Sequence, residues 1–380
     1  MSAPIVIIGT GLAGYNLAKE LRKGNQDTPI IMITSDDGRN YSKPMLSTGF
    51  GKGKDADGLA MADAGKMAEQ LRLEIRTHQS VTAIDTNNKR LTLGSDEIQY
   101  DKLVLALGAE PIRLPLPGFE HLYHINDLMD YDQFHGASQG KKDVLVMGAG
   151  LVGCEYAHDM AVAGFNVTLV APDKTPLSRL LPEPCGEALE QALLKLGVTV
   201  RLNTGVTAIA KTDEGIVASL NNGESITADI GLSAVGLKPR TDLAAQAGLL
   251  IGQGIQVNRQ LQTSADDVYA IGDCMEVDGL NLLYVLPLMN CARTLAKTLN
   301  GEPTEINYPV MPVQVKTPSL PITVCPPAQN AEGQWQIDGE SPNFKGVFVG
   351  NDGKLLGYAL TGECVAEKMA LNKEMPAMLA

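Results

Sequence analysis

Apolar residues in this chain fall in runs of four or five, each closed by glycine or a polar turn, and one succession of runs occurs twice. In the first pass Ile5-Val6-Ile7-Ile8 predicts a buried strand. Gly9-Thr10-Gly11-Leu12-Ala13-Gly14 then opens a helix to about Lys23, and Ile30-Ile31-Met32-Ile33 predicts a second strand. Short alternating runs at 73–76, 82–85, 90–93 and 98–100, with a turn at Asn87-Asn88, predict short antiparallel strands. A strand at 103–107 ends in Gly108-Ala109-Glu110-Pro111. The second pass begins at Val144-Leu145-Val146-Met147, followed by Gly148-Ala149-Gly150-Leu151-Val152-Gly153 and a helix to about Ala163. It continues through runs at 167–170, 198–202, 206–210 and 216–220, a turn at Asn222-Gly223, and a strand at 231–235 closing on Gly236-Leu237-Lys238-Pro239. Repetition on this scale predicts two parallel α/β units, each carrying a short antiparallel meander. The segment 111–142, rich in Pro, Gly, Asp and His, reads as the loop between them.

At 380 residues the chain exceeds one core, so two or three domains are expected. The net charge of −13 argues against nonspecific nucleic-acid binding and against docking on an anionic membrane. No apolar run is long enough to span a bilayer, and a strand starting at Ile5 leaves no room for a signal peptide, so a cytoplasmic protein is expected. The six cysteines (Cys154, Cys185, Cys274, Cys291, Cys325, Cys364) show no CxxC and no ligand spacing; reduced structural thiols and no metal are expected. The histidines form no HxxxH or HxH pair, and His121, His124 and His135 read as solvated positions of the 111–142 loop.

Both glycine stretches match GxGxxG between a strand and a helix, which suits a dinucleotide: a tight turn, close backbone approach to a pyrophosphate, and a helix N-terminus aimed at its charge. Gly9, Gly11, Leu12, Ala13 and Gly14, with Asp36 beyond the second strand, are candidate contacts to one dinucleotide. Gly148, Gly150, Leu151, Val152 and Gly153, with Asp173 and Gly236, are candidates for the other. A third signature is the strand Val268-Tyr269-Ala270-Ile271 ending in Gly272-Asp273, where glycine admits a ligand to the backbone and the carboxylate can meet sugar hydroxyls. Pro287 reads as opening a helix to about Leu299.

With two fingerprints upstream, the Gly272-Asp273 strand resembles the second FAD motif of the two-dinucleotide flavoprotein reductases. The resemblance implies an α/β fold of two Rossmann-like domains, with an NAD domain (111–235) inserted in a FAD domain (1–110 and 236–310) and a small α+β C-terminal domain (311–380). It also implies that the helix containing Leu288 points its N-terminus at the flavin's pyrimidine carbonyl. The cysteine pairs of the disulfide-reducing relatives are absent, and Leu46-Ser47-Thr48-Gly49 has threonine where peroxide- and coenzyme-A-disulfide-reducing relatives carry cysteine. A thiol-based reaction is therefore not expected.

Tyr41-Ser42-Lys43-Pro44 instead resembles the Tyr-x-Arg/Lys-Pro segment of reductases serving small iron proteins. That implies Lys43 and Pro44 beside the flavin and an ion pair between Lys43 and Glu155. Over nearly its whole length, including 41–49, 272–288 and Val315-Lys316-Thr317-Pro318, the chain is similar to the rubredoxin-reductase group of bacterial alkane-oxidising systems. It lacks the Phe-Trp-Ser-Asp-like segment of oxygenase-coupled ferredoxin reductases and of the apoptosis-inducing-factor group. The similarity implies electron flow from NADH through FAD to rubredoxin, with Lys43, Glu155 and Lys316 as catalytic residues and Lys316 near the flavin. Two alternatives are another acceptor (a ferredoxin or a flavo-diiron nitric-oxide reductase) and a redox-sensing NADH-binding flavoprotein. Rubredoxins are acidic, so encounter requires a local patch, for which Lys43, Lys316, Arg293, Pro44, Pro318 and Leu320 are candidates. Trp335 reads as local packing, and the short last domain favours a monomer.

Overall fold

The structure is a computed structural model describing residues 3–379, so the extreme ends of the expected domains, residues 1–2 and 380, lie outside it. The first apolar runs form a parallel sheet in the order Val268–Ala270, Lys102–Leu105, Ile5–Ile8, Ile30–Ile33, Glu74–Arg76. Its middle strands are apolar without alternation because helices cover a parallel sheet. Helix Leu12–Gly24 packs against helix Val285–Leu299, burying Leu17 and Leu21 on one and Cys291 and Leu295 on the other. The alternating runs form an antiparallel meander, Ala83–Asp85, Arg90–Leu93 and Asp96–Gln99.

The second pass repeats the plan. Its parallel sheet runs Thr199–Arg201, Asn166–Val170, Asp143–Met147, Ile230–Ser233, the order of the first sheet without its outermost strand. Its meander is Val206–Lys211, Ile216–Leu220 and Ser225–Ala228. The missing strand position is explained by the chain's path: after the second unit it returns and adds Val268–Ala270 to the first sheet beside Lys102–Leu105. It leaves and re-enters through one antiparallel ribbon, Ala109–Pro111 against Leu237–Pro239, where Lys238 Nζ lies 2.8 Å from Glu110 Oε1.

The last segment forms a five-stranded antiparallel sheet in the order Val313–Val315, Ile322–Cys325, Leu355–Thr361, Asn343–Gly350, Gly333–Glu340. Trp335 packs edge-on against Phe348 within it, with ring centroids 5.5 Å apart. One apolar cluster extends from Leu46 and Phe50 through Val144 and Leu169 to Val315, Leu320 and Ile322, joining all three parts.

Three local expectations need correction. The segment 111–142 is not a loop throughout: Leu128–Ala137 is a helix with a capping box of Asp127 and Asp130, and it buries Leu128, Tyr131 and Phe134. The histidines there are not simply solvated. His135 stacks on Tyr131, and both ring nitrogens of His124 are buried beside Phe119, where burial lowers the imidazole pKa. Helix Val285–Leu299 begins before Pro287, which occupies its first turn, where a missing N–H costs nothing. The thiols of Cys274 and Cys325 are pushed up to about 12 and about 11 by burial, which leaves them inert.

Candidate functional site

Both fingerprints build the same turn. Gly9 and Gly148 have φ of +114° and +107°, conformations that a side chain resists. A Cβ on Gly14 would overlap the carbonyl oxygen of Gly9, and one on Gly153 that of Gly148, so these glycines let helix and strand meet. Gly11 and Gly150 differ: a Cβ on either meets nothing within 4 Å. Each opens onto empty space, immediately before the first residue of its helix.

That space is a single cleft of about 2010 Å3, running from one glycine turn to the other. Pockets for one small molecule span about 300–1,000 Å3, so this one has room for two. Every site residue expected from sequence lines it except Gly14, Gly153 and Gly272, which pack beneath; a Cβ on Gly272 would come 2.9 Å from that of Ala13. The N-termini of helices Leu12–Gly24, Leu151–Val162 and Val285–Leu299 converge on the cleft. None has a side-chain cap or an acidic residue in its first turn. Away from the cleft Asp55 and Asp63 cap their helices with carboxylates, and at its wall Asp127 does the same for Leu128–Ala137. The helices opening at Leu12, Leu151 and Val285 thus keep free N–H donors and positive dipole ends facing a void, an arrangement suited to anionic ligands.

Each fingerprint has a carboxylate with one oxygen to spare. Asp36 Oδ1 accepts from Thr34 Oγ1 at 2.6 Å and from the Gly38 N–H at 2.9 Å, and Asp173 Oδ1 accepts from Ser178 Oγ at 2.6 Å. The second oxygen of each has no hydrogen-bond partner among the described residues, and both side chains line the cleft. Of the two cations near Asp173, Lys174 is paired with Glu183, whereas Arg179 lines the cleft.

Between the two turns the charges pair differently from expectation. Lys43 starts a tight 3-10 turn, Lys43–Thr48, and does not reach Glu155. Its ammonium donates to Asn126 Oδ1 at 2.8 Å and lies 3.6 Å from Asp273 Oδ2. Glu155, with a side chain only 2% exposed, is held by Lys316 instead. The Lys316 N–H donates to Oε1 at 3.0 Å, its ammonium donates to Oε2, and Ser47 Oγ donates to Oε2 at 2.6 Å. Lys316 arrives there because it directly follows strand Val313–Val315 of the last domain. His158, one turn beyond Glu155, accepts from the Ser319 N–H at 3.2 Å and fastens the same loop to the helix.

Sequence reasoning missed Asn126 and Ser47. Asn126 stands in the polar segment 111–142 and Ser47 one residue before the threonine that replaces a relative's cysteine, and neither belongs to a motif of its own. The expected patch also changes: Leu320 is 2% exposed and belongs to the core, so it cannot face a partner. The exposed large apolar residues lining the cleft are Val152, Val285, Leu286 and Met369.

Among the described residues no helix is long and apolar enough to cross a membrane, and no cluster of three or more His, Cys, Asp or Glu could hold a metal. A family model described as pyridine nucleotide-disulphide oxidoreductase matches residues 3–296, and one described as rubredoxin binding C-terminal domain matches 305–375. The chain is 52% identical over 379 residues to a rubredoxin-NAD(+) reductase of Alcanivorax borkumensis, covering 99% of both chains. It is 37% identical to a nitric oxide reductase FlRd-NAD(+) reductase of Aliivibrio fischeri, again covering 99% of each. A ferredoxin reductase structure from Rhodopseudomonas palustris superposes with a TM-score of 0.88 at 24% identity, covering 99% of this chain and 96% of that one, a likeness of fold.

Proposed function

The chain belongs to the pyridine nucleotide-disulphide oxidoreductase family, and on that premise we propose that it is an NADH-dependent flavoprotein reductase whose acceptor is a rubredoxin. One observation carries the proposal: the N-termini of helices Leu12–Gly24, Leu151–Val162 and Val285–Leu299, free of caps and first-turn acids, converge on one cleft, with Lys43, Glu155 and Lys316 between its two glycine turns. FAD belongs to residues 1–110 and 236–310, NADH to 111–235, and the rubredoxin contact to 311–380 with the cleft mouth. The protein acts as a cytoplasmic monomer, and an alkane-hydroxylase electron chain is the proposed setting. A second acceptor, a nitric-oxide reductase system, is favoured by the likeness to the Aliivibrio fischeri protein, but at lower identity.

The residues present fit both dinucleotides. Gly11 leaves room for the FAD pyrophosphate against the N–H groups at Leu12 and Ala13, Asp36 offers its free oxygen to the ribose, and Asp273 serves the ribityl hydroxyls. Bound FAD supplies the conversion of a hydride from NADH into single electrons for an iron carrier. The helix that begins at Val285 stabilises negative charge at the reacting end, while Pro44 and Leu288 help to exclude water. Gly150, Leu151 and Val152 hold the NADH pyrophosphate, Asp173 its ribose, and Gly236 admits its backbone-side edge. Glu155 and Lys43 order the nicotinamide end, and Lys316 carries positive charge inward from the acceptor-facing domain.

Two outcomes follow. Asp273→Ala is expected to weaken FAD retention by about 1–3 kcal/mol, because it removes a carboxylate acceptor and leaves Lys43 one partner fewer. Gel filtration followed by flavin absorbance measures this, and full flavin retention would rule out the assigned role. In steady-state turnover with rubredoxin, kcat/KM for NADH is expected to exceed that for NADPH by about tenfold, since the Asp173 carboxylate repels a 2′-phosphate. Arg179 keeps the ratio from being larger. A ratio favouring NADPH, or no turnover with rubredoxin, would sink the proposal.

A further inference from the structure

We propose that Asn126 is a positioning residue for the reducing site: its amide draws Lys43 to Asp273 and so leaves Glu155 to Lys316. The inference rests on the functional reading above. Between the glycine turns two ammonium groups, Lys43 and Lys316, stand with two carboxylates, Asp273 and Glu155, and charge alone does not fix which pairs with which. The choice is made by a neutral group that is 5% exposed and lies at the cleft wall.

Both polar atoms of the Asn126 side chain are committed. Nδ2 donates to the Ala109 carbonyl at 2.8 Å, where the chain starts its outward ribbon. That bond fixes which end of the amide is which, so Oδ1 faces Lys43 and accepts from its ammonium at 2.8 Å. The Asn126 backbone N–H donates to Asp130 Oδ2 at 2.9 Å, within the cap of helix Leu128–Ala137. The residue is thus anchored from the ribbon and from the helix, and its one remaining acceptor is presented to the cation. An amide supplies that acceptor without adding another negative charge beside Asp273, Asp127 and Asp130. The substitution Asn126→Asp would set an acceptor against the Ala109 carbonyl, and Asn126→Leu would offer neither donor nor acceptor.

Asn126→Leu releases Lys43 to compete for Glu155, where Lys316 is displaced or shares the carboxylate. Positioning errors near a reacting centre reduce rates by about tenfold to a hundredfold. The experiment measures the rate constant of flavin reduction by NADH, anaerobically, in the flavin-loaded wild type, Asn126→Leu, Lys43→Met, Lys316→Met and the double variants. Asn126→Leu is expected to slow reduction at least about tenfold, with no further slowing when Lys43→Met is already present. In the Lys316→Met background it is expected to keep an effect. Urea unfolding midpoints should show the same coupling between Asn126 and Lys43, a readout independent of turnover. An unchanged rate in Asn126→Leu, or an equal fold-loss with and without Lys43, would overturn the proposal and leave Asn126 a structural residue. Should Asn126→Leu fail to fold, Asn126→Ser carries the same comparison. A wild type that binds flavin but is not reduced by NADH would overturn the functional reading instead.

Discussion

Gly150→Val is expected to leave flavin bound and to raise the KM for NADH about a hundredfold or more, whereas Gly11→Val is expected to yield folded protein without flavin. The contrast follows from where each Cβ would go. Neither glycine has a positive φ, and neither Cβ would meet an atom within 4 Å, so the fold tolerates both substitutions. The isopropyl group fills the space beside the helix N–H groups that a pyrophosphate needs. Overfilling such a site costs about 1–3 kcal/mol, and each lost hydrogen bond to a charged group about 1.5–3 kcal/mol more. At the middle of these ranges one term of each kind comes to about 4 kcal/mol, above the 2.8 kcal/mol or so that a hundredfold change requires. Gly14→Val and Gly153→Val are expected to unfold their units, because the added atoms would overlap Gly9 and Gly148 backbone oxygens. Flavin absorbance, NADH kinetics and circular dichroism on the four variants separate these outcomes. Retained flavin in Gly11→Val, or an unchanged NADH KM in Gly150→Val, would contradict the assignment of the two turns.

The other large effect concerns the buried carboxylate. Lys316→Met removes the cation paired with Glu155, whose side chain is 2% exposed, and leaves a charge with only the Ser47 hydroxyl and the backbone N–H of residue 316. Breaking a fully buried pair costs about 3–5 kcal/mol. Lys316 is itself 31% exposed, so about 2–4 kcal/mol is expected here. Glu155→Gln keeps one accepting oxygen and leaves no unpaired charge buried, and the partly exposed Lys316 ammonium can turn to water, so it is expected to cost less than Lys316→Met. Combining Glu155→Gln with Lys316→Met should recover most of the loss, and urea unfolding measures all three. A neutral Lys316→Met, or additive losses in the double variant, would mean the pair does not hold the last domain onto the helix.

Periodic features were legible in the sequence and long-range ones were not. The strand runs, both glycine turns and the returning Gly272-Asp273 strand follow from local chemistry: buried parallel strands are uniformly apolar, and a tight turn needs glycine. Helix Leu128–Ala137 was also legible in principle. Leu128, Tyr131 and Phe134 share one face, and Asp127 stands three residues before Asp130, but the polar composition around them masked the period. The ion pairs were not legible. Lys43 and Glu155 were matched by resemblance, yet the actual partner of Glu155 lies 161 residues away on another domain. What diverts Lys43 is Asn126, a neutral residue with no motif of its own. Pairing of four charges in one cleft depends on which backbone ends meet there, and that is set by the ribbon and the last sheet.

The central claim, electron transfer from NADH to rubredoxin through this cleft, is tested most directly in one stopped-flow experiment. The flavin-loaded protein is reduced with NADH under anaerobic conditions and then mixed separately with rubredoxin and with ferredoxin. The expected result is bleaching of the flavin by NADH and reoxidation by rubredoxin at least about tenfold faster than by ferredoxin, a barrier difference of about 1.4 kcal/mol. Failure of NADH to bleach the flavin, or reoxidation by ferredoxin as fast as by rubredoxin, would contradict it.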